Sequence, residues 1–248
     1  MIKIRNLTKI LNGRKVLDNV CLDVHSGEAL SIIGQSGCGK SVLLKHIIGL
    51  MKPDSGSIFI DGEDIVCLEE KRVYEMRKKI AMVFQNAALF DSMTVFDNVA
   101  FALFEHSDLS YEEISRTVSE KLAIVNLQNT EKLMPSELSG GMRKRVGIAR
   151  AAAMNPKLLL YDEPTTGLDP ITSDVINNLI AETNKKLNVT SVIVTHDMRS
   201  AYRISNRIAM LYKGKIIEAD TVENIRNSDN PVISQFINGR AHGPITDE

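Results

Sequence analysis

Residues 34–41 read Gly-Gln-Ser-Gly-Cys-Gly-Lys-Ser: a glycine, four free positions, then Gly-Lys-Ser. That spacing is the pattern of a phosphate-cradling loop. Gly34, Gly37 and Gly39 carry no Cβ, so the backbone can turn tightly and aim its N–H groups at phosphate oxygens, with Gln35, Ser36 and Cys38 completing the cradle. Lys40 is expected to reach the β- and γ-phosphates, and Ser41 to offer its hydroxyl to Mg²⁺. The helix that opens there points the positive end of its dipole at the same anion. The flanks agree: Ala29-Leu-Ser-Ile-Ile33 is strand-like, and Val42–Ile48 is a helix that ends at Gly49. A glycine-rich turn that matches by chance has no reason to stand between a strand and a helix in the required order.

The whole chain has 248 residues, 44% hydrophobic and 25% charged, enough to bury the core of one large α/β domain or of a core with an inserted lobe. Thirty basic residues against thirty-one acidic ones leave a net charge of -1, so no global field recruits nucleic acid or an anionic membrane. No apolar run approaches the roughly twenty residues that span a bilayer, and Met1-Ile-Lys-Ile-Arg5 is not a signal peptide. A cytosolic chain is expected. Cys21, Cys38 and Cys67 lack metal-ligand spacing and are odd in number, which points to reduced thiols.

Working outward, residues 2–7 and 16–24 alternate apolar and polar side chains, as half-buried antiparallel strands do, with Asn12-Gly13 as the turn between them. Pro53-Asp-Ser-Gly56 reads as a turn cluster, Ser57–Gly62 as a strand with its own turn, and Ile80–Phe84 as a buried strand ending on Gln85. From Asn86 to Asn155 helical spacing takes over, predicting an inserted helical lobe. Val95, Phe96, Val99, Leu103 and Phe104 share one helix face behind an N-capping Thr94 or Ser92, and Tyr111–Leu127 repeats the pattern. That apolar face is the lobe's own core for most residues, while Ala87–Phe90 and Phe101–Phe104 leave some surface for a partner helix.

Leu138-Ser-Gly-Gly-Met142 precedes a helical run from Arg143 to Met154. Ser139, Gly140 and Gly141 at a helix start make either a second anion-binding terminus or an ordinary capped helix. Lys157–Tyr161 is a buried strand that delivers Asp162 and Glu163 at its C-terminal end, where open parallel sheets place ligands. Asp162 suits the Mg²⁺ shell, and Glu163 suits orienting or deprotonating an attacking water. The alternative is a surface acidic pair, against which the apolar strand argues. A helix over 171–187 leads to the strand Thr190–Thr195, with His196 at its tip, able to donate to a phosphate or to serve as a structural histidine. Ile208–Tyr212 and Lys215–Glu218 flank Lys213-Gly214 as a hairpin, and the tail from about Asn227 is expected to be loosely ordered beyond Ile237.

Taken together, the segments resemble the ATP-binding cassette family of transporter ATPases over essentially the whole chain. GQSGCGKS at 34–41, Gln85, LSGGM at 138–142, LLLYDEP at 158–164, GLD at 167–169 and THD at 195–197 stand in the family's order. The resemblance implies an α/β fold: a RecA-like P-loop core at about 1–85 and 156–226 with an N-terminal antiparallel β subdomain, an inserted α-helical subdomain at about 86–155, and a C-terminal tail at 227–248. It implies a homodimer that sandwiches two ATP molecules with Mg²⁺, each held between one subunit's phosphate loop and the other's Ser139-Gly140-Gly141. By the same carry-over Gln85 touches Mg²⁺ and the water and reports to a transmembrane permease, Asp162 and Ser41 ligate the metal, and Glu163 is the base. Asp169 lies across the dimer seam, and His196 senses the γ-phosphate.

Two departures matter. Leu11, beside Ile10, stands where cassettes usually stack an aromatic ring on adenine, so discrimination among ATP, GTP and CTP is expected to be loose. Met142 replaces the commonest glutamine, and LSGGM with Arg143-Lys-Arg-Val-Gly147 and the tail 235–245 looks like the subgroup serving Mla-type phospholipid transport, whose permeases work with MCE-domain lipid-binding proteins. The expected place is peripheral, on the cytoplasmic side of the inner membrane. The rivals are an importer of a small solute such as an amino acid, a soluble ATP-gated clamp on nucleic acid or ribosomes, and a simple P-loop kinase. The single cassette and neutral charge weigh against the clamp, and LSGGM has no use in the kinase.

Overall fold

The computed structural model describes residues 1–247. In chain order the first part is β1 (Ile2–Leu11), β2 (Arg14–Val24), β3 (Ala29–Ile33), α1 (Lys40–Ile47), β4 (Ser55–Ile60) and β5 (Glu63–Asp64). Then come α2 (Glu70–Arg77), β6 (Ile80–Val83), α3 (Val95–His106), α4 (Tyr111–Ile124), α5 (Gly140–Ala152), β7 (Leu158–Asp162) and α6 (Pro170–Leu187). The chain finishes with β8 (Thr190–Thr195), α7 (Met198–Ile204), β9 (Arg207–Tyr212), β10 (Lys215–Thr221), α8 (Val222–Arg226) and α9 (Pro231–Asn238). It forms two compact units, Met1–Leu68 with Val192–Glu248, and Glu69–Ser191.

In the first unit an antiparallel sheet of order β2-β1-β4-β5 rests on the alternation read from the sequence. Ile2 faces Val24 and Ile4 faces Leu22 across β1 and β2, and all four are buried. The register shifts between Ile4 and Leu7, beside Asn6 at φ 50°, a bulge that asparagine tolerates because its short polar side chain suits the left-handed region. β4 begins at Ser55, so the last two residues of the turn cluster Pro53–Gly56 belong to the strand instead. Backbone pairing decides this: Thr8 pairs with Ser55. The second sheet of the unit runs β10-β9-β3-β8, with β3 parallel to β9 from Leu30 opposite Arg207 to Ile33 opposite Met210. All five residues of β3 are buried, which is why it reads as a continuous apolar run.

The tail departs from the expectation of loose order. α9 buries Ile233, and Phe236, Ile237 and Ile245 pack on the cluster that includes Ile33, Ala201 and Met210. Buried Gln235 ties the last turn down: its Oε1 accepts from the Ile245 N–H at 2.7 Å and its Nε2 donates to the Thr246 hydroxyl at 3.0 Å. A polar side chain buried this deeply is held by such partners.

In the second unit β6 and β7 pair in parallel, Ile80 opposite Leu158 through Val83 opposite Tyr161. The lobe is helical, as its spacing predicts. Thr94, not Ser92, caps α3 through a reciprocal bond with Asp97, and Ser110 with Glu113 does the same for α4. Val95, Val99 and Leu103 turn into the core with Ile114, Val118 and Leu122, whereas Phe104 of the same apolar set is 48% exposed. Buried Tyr161 donates to Asn184 Oδ1 at 3.3 Å, and Asn184 passes a bond on to Ser191 at 2.8 Å.

Candidate functional site

The first unit carries the phosphate loop, Leu11 and His196. β3 ends at Ile33, and Gly34 follows at φ 152° with so little room that a Cβ would sit 2.3 Å from the Leu211 carbonyl oxygen of β9. Gly39 at φ 110° is boxed from the other side: a Cβ there would lie 2.8 Å from the Val16 carbonyl oxygen of β2. Only glycine meets both the conformation and the clearance. Gln35, Ser36 and Gly37 are exposed at the crown, and Cys38 is half-buried. Lys40 is buried, and its Nζ donates to the carbonyl oxygens of Gly34 at 2.8 Å and Gln35 at 3.0 Å. α1 is N-capped by Gly39 with no side-chain cap and no acidic residue in its first turn, which suits its leading N–H groups and dipole to an anion. Ser41 is half-buried in that first turn.

Leu11 is half-buried at the end of β1, beside Ile10 at 44% exposure, so the aliphatic surface read from the sequence is accessible. His196 is exposed directly after β8, and Asp197 behind it caps α7, accepting from Arg199 N–H at 3.0 Å and the Ser200 hydroxyl at 2.6 Å. Further back on α1, His46 is fully buried with Nδ1 2.7 Å from the Val42 carbonyl oxygen, and burial pulls its pKa below the ordinary histidine value while that bond opposes the shift.

The second unit carries Gln85, Ser139–Gly141, Asp162, Glu163 and Asp169. Gln85 is exposed two residues past β6. Asp162 ends β7, and Glu163 follows at φ 48°, a left-handed conformation that costs a non-glycine residue roughly 1–2 kcal/mol. Its Oε2 accepts from the Thr166 hydroxyl at 3.1 Å. Ser139 is the N-cap of α5, its hydroxyl oxygen accepting from the Met142 N–H at 3.2 Å, with Gly140 and Gly141 forming the first turn. Asp169 caps α6 through the N–H groups of Ile171 and Thr172 at 3.0 Å, and the Thr172 hydroxyl at 2.5 Å is the main cause of its lowered pKa.

The sequence reading missed what holds Gln85. Lys144 of α5 is buried and donates to the Gln85 carbonyl oxygen; burial lowers its pKa, and the field of the Glu163 carboxylate raises it. Arg150, two turns on, donates to the carbonyl oxygens of Ala88 and Ala87, each at 2.7 Å. At the end of this segment, exposed Phe90 packs on exposed Phe101 with the rings tilted at 44° and their centroids 5.0 Å apart. A cavity of about 160 Å³ opens among Tyr74, Arg77, His106, Arg150, Met154 and Pro156.

Among the described residues no cluster of three His, Cys, Asp or Glu forms a protein-only metal cage. Ser41 of the first unit, and Asp162 and Gln85 of the second, each carry an oxygen of the kind that Mg²⁺ accepts, so each residue type by itself fits the ion. No helix among the described residues is long and apolar enough to cross a membrane.

A family profile described as ABC transporter matches residues 17–166. The intermembrane phospholipid transport system ATP-binding protein MlaF of Haemophilus influenzae is 42% identical over 99% of this chain and 93% of its own. The probable ribonucleotide transport ATP-binding protein mkl of Mycobacterium leprae is 43% identical over 98% of this chain and 70% of its own. Among solved structures, the dimeric cassette MJ0796 in a post-hydrolysis state with ADP and Pi is 35% identical, with a TM-score of 0.82 over 90% of this chain and 99% of that one. The cbiO1 subunit of a Clostridium perfringens ABC transporter complex is 30% identical, with a TM-score of 0.85 over 97% of this chain and 95% of that one. With a phosphate loop built on β3 and α1 and an acidic pair at the end of β7, the chain belongs to the ABC transporter family and is one of its nucleotide-binding ATPases.

Proposed function

We propose that this chain works as a homodimeric ATPase on the cytoplasmic face of a membrane and powers phospholipid transport between membranes. The observation that carries the reading is its likeness to MlaF along nearly the full length of both chains. Met142 and the tail, the features that set the sequence apart from the general cassette, point the same way. The dimeric state of the MJ0796 cassette supports two copies as the working unit.

In this reading the N–H groups of residues 34–41 hold the phosphates, and Lys40 leaves the Gly34 and Gln35 carbonyls for the β- and γ-phosphates. Ser139, Gly140 and Gly141 cover the nucleotide bound by the other copy. Mg²⁺, when bound with ATP, neutralises charge on the phosphates, with Ser41, Asp162 and Gln85 as its holders. Glu163 orients the attacking water and takes its proton, while His196 donates a hydrogen bond to the γ-phosphate. Asp169 lies at the seam between copies. Leu11 contacts the base without stacking, which leaves selectivity among purine and pyrimidine triphosphates loose. The helical lobe 86–155 is one subdomain inserted in a core of 1–85 and 156–226. The exposed surface of Phe90 and Phe101 receives a helix of a permease, and an MCE-domain lipid-binding protein completes the assembly.

The second reading is import of a small solute, favoured by the likeness to the mycobacterial relative, a probable ribonucleotide transport ATP-binding protein. The deciding experiment isolates the subunit from its native membrane in mild detergent and identifies the accompanying proteins and lipids by mass spectrometry. A permease, an MCE-domain protein and bound phospholipid support the proposal. A solute permease with a soluble binding protein overturns it in favour of import, and the absence of any membrane partner revives the soluble clamp.

A further inference from the structure

Residues 85–90 make a bend that their own side chains do not explain. Ala87 and Ala88 sit consecutively at φ 59° and 46°, a region that residues with a Cβ avoid, and neither can bond back to its own backbone as asparagine does. The bend is held from outside. Lys144, Gly147 and Arg150 recur every third residue of α5 and so follow one side of the helix. Lys144 donates to the Gln85 carbonyl, and Arg150 spreads its two terminal nitrogens over the carbonyls of Ala88 and Ala87. Gly147 supplies the clearance between them, since a Cβ there would lie 3.2 Å from the Ala87 Cβ. On the far side Asn98 of α3 holds Phe90 by both backbone groups, accepting from its N–H at 2.9 Å and donating to its carbonyl at 3.1 Å.

Lys144 is 7% exposed, and a buried ammonium needs compensation that an apolar residue of the same length does not. If the site only had to be filled, methionine would fill it. The ammonium donates to the backbone of Gln85, the residue that the proposed mechanism sets against the water and Mg²⁺, and the field of the Glu163 carboxylate adds to its compensation. We propose that Lys144 is a positioning residue for ATP hydrolysis: its grip on the Gln85 carbonyl fixes where the Gln85 side chain stands, with Arg150 anchoring the bend behind it. Because Lys144 projects from the helix that Ser139 and Gly140 begin, Gln85 is placed in register with the glycine-rich turn. This rests on the role given to Gln85 above.

The test is steady-state MgATP hydrolysis by the full chain isolated with its membrane partners. Lys144→Met keeps the length of the stem and removes the donor; its kcat is expected to fall about tenfold to a hundredfold while KM for MgATP stays within about twofold. Lys144→Arg, which restores a donor, recovers most of kcat. Gln85→Ala lowers kcat on its own, and adding Lys144→Met to it costs nothing further, because the side chain that Lys144 positions is already gone. If Lys144→Met is too unstable to assay, Arg150→Lys, which keeps charge but loses the two-pronged grip, is expected to show the same loss confined to kcat and absent in the Gln85→Ala background. An unchanged kcat in Lys144→Met beside a crippled Gln85→Ala overturns the inference, as does a loss that adds to that of Gln85→Ala or falls on KM. An unimpaired Gln85→Ala instead removes Gln85 from the mechanism, and the inference with it.

Discussion

Lys40 folds back over its own loop and donates from Nζ to the carbonyl oxygen of Gly34 at 2.8 Å. The ammonium thus already lies against the backbone of its own loop, and two of its acceptors are neutral carbonyls that phosphate oxygens outcompete. Lys40→Ala is expected to weaken ATP binding at least about tenfold, the worth of one charge-assisted bond, as read by calorimetry. Wild-type affinity would remove the lysine from the cradle.

Glu163 carries a different expectation. Its left-handed backbone and its bond from Thr166 hold the side chain at the end of β7, and an amide keeps the shape and can still accept that bond. Glu163→Gln is therefore expected to fold and to bind MgATP with unchanged affinity, while kcat falls about a hundredfold or more, the usual contribution of a general base. Size-exclusion chromatography with MgATP should then show a persistent dimer. Normal turnover in this variant would take the role of base away from Glu163.

Cys38 lies half-buried within the loop, whereas Cys21 and Cys67 are exposed elsewhere. With those two changed to serine, alkylation by a maleimide reports on Cys38 alone. MgATP at a hundred times its Kd should slow the labelling about a hundredfold, because only the nucleotide-free fraction reacts. Labelling at an unchanged rate would place the nucleotide away from this loop.

His46 sets a pH dependence of stability. Its pKa in the folded chain is lowered by burial below the ordinary value of about 6.5, so between the two values the unfolded chain binds more protons than the folded one. Stability therefore rises with pH in that window: His46 costs nothing well above pH 6.5, and each unit below it removes up to about 1.4 kcal/mol until the folded-state pKa is reached. Thermal unfolding from pH 8 to pH 5 should show this fall in the wild type and a shallower one in His46→Leu. Parallel curves would assign the acid sensitivity to other groups.

The stretches that were easiest to read are those in which burial and local chemistry agree. β3 is almost wholly apolar because both its faces are covered, and positions 34 and 39 must be glycine because carbonyls of β9 and β2 crowd them. α2 left no mark: Glu70–Arg77 buries none of its residues, so no apolar stripe betrays it. The tail misled for the opposite reason. Its order comes from long-range packing of Phe236, Ile237 and Ile245, and from one glutamine whose partners lie five to eleven residues away, which no local pattern encodes. At the site, the acidic pair and the glycine-rich turns are legible as residue types. Lys144 and Arg150 look like two more solvated cations among Arg143, Lys144, Arg145 and Arg150, and only the path of the Gln85–Phe90 backbone reveals that they face inward.

The clearance around Gly34 and Gly39 also makes the neighbouring strands listeners to the loop. Leu211 and Val16 present their carbonyls to it, and the β9–β10 turn is stitched to β2 by the Asp18 N–H bond to the Gly214 carbonyl oxygen at 2.8 Å. Any tightening of the loop around phosphate is therefore passed to a hairpin that touches no nucleotide. In deuterium-exchange mass spectrometry, peptides covering residues 208–216 should take up label more slowly once MgATP is added, a readout of occupancy from a strand and turn outside the glycine-rich loop.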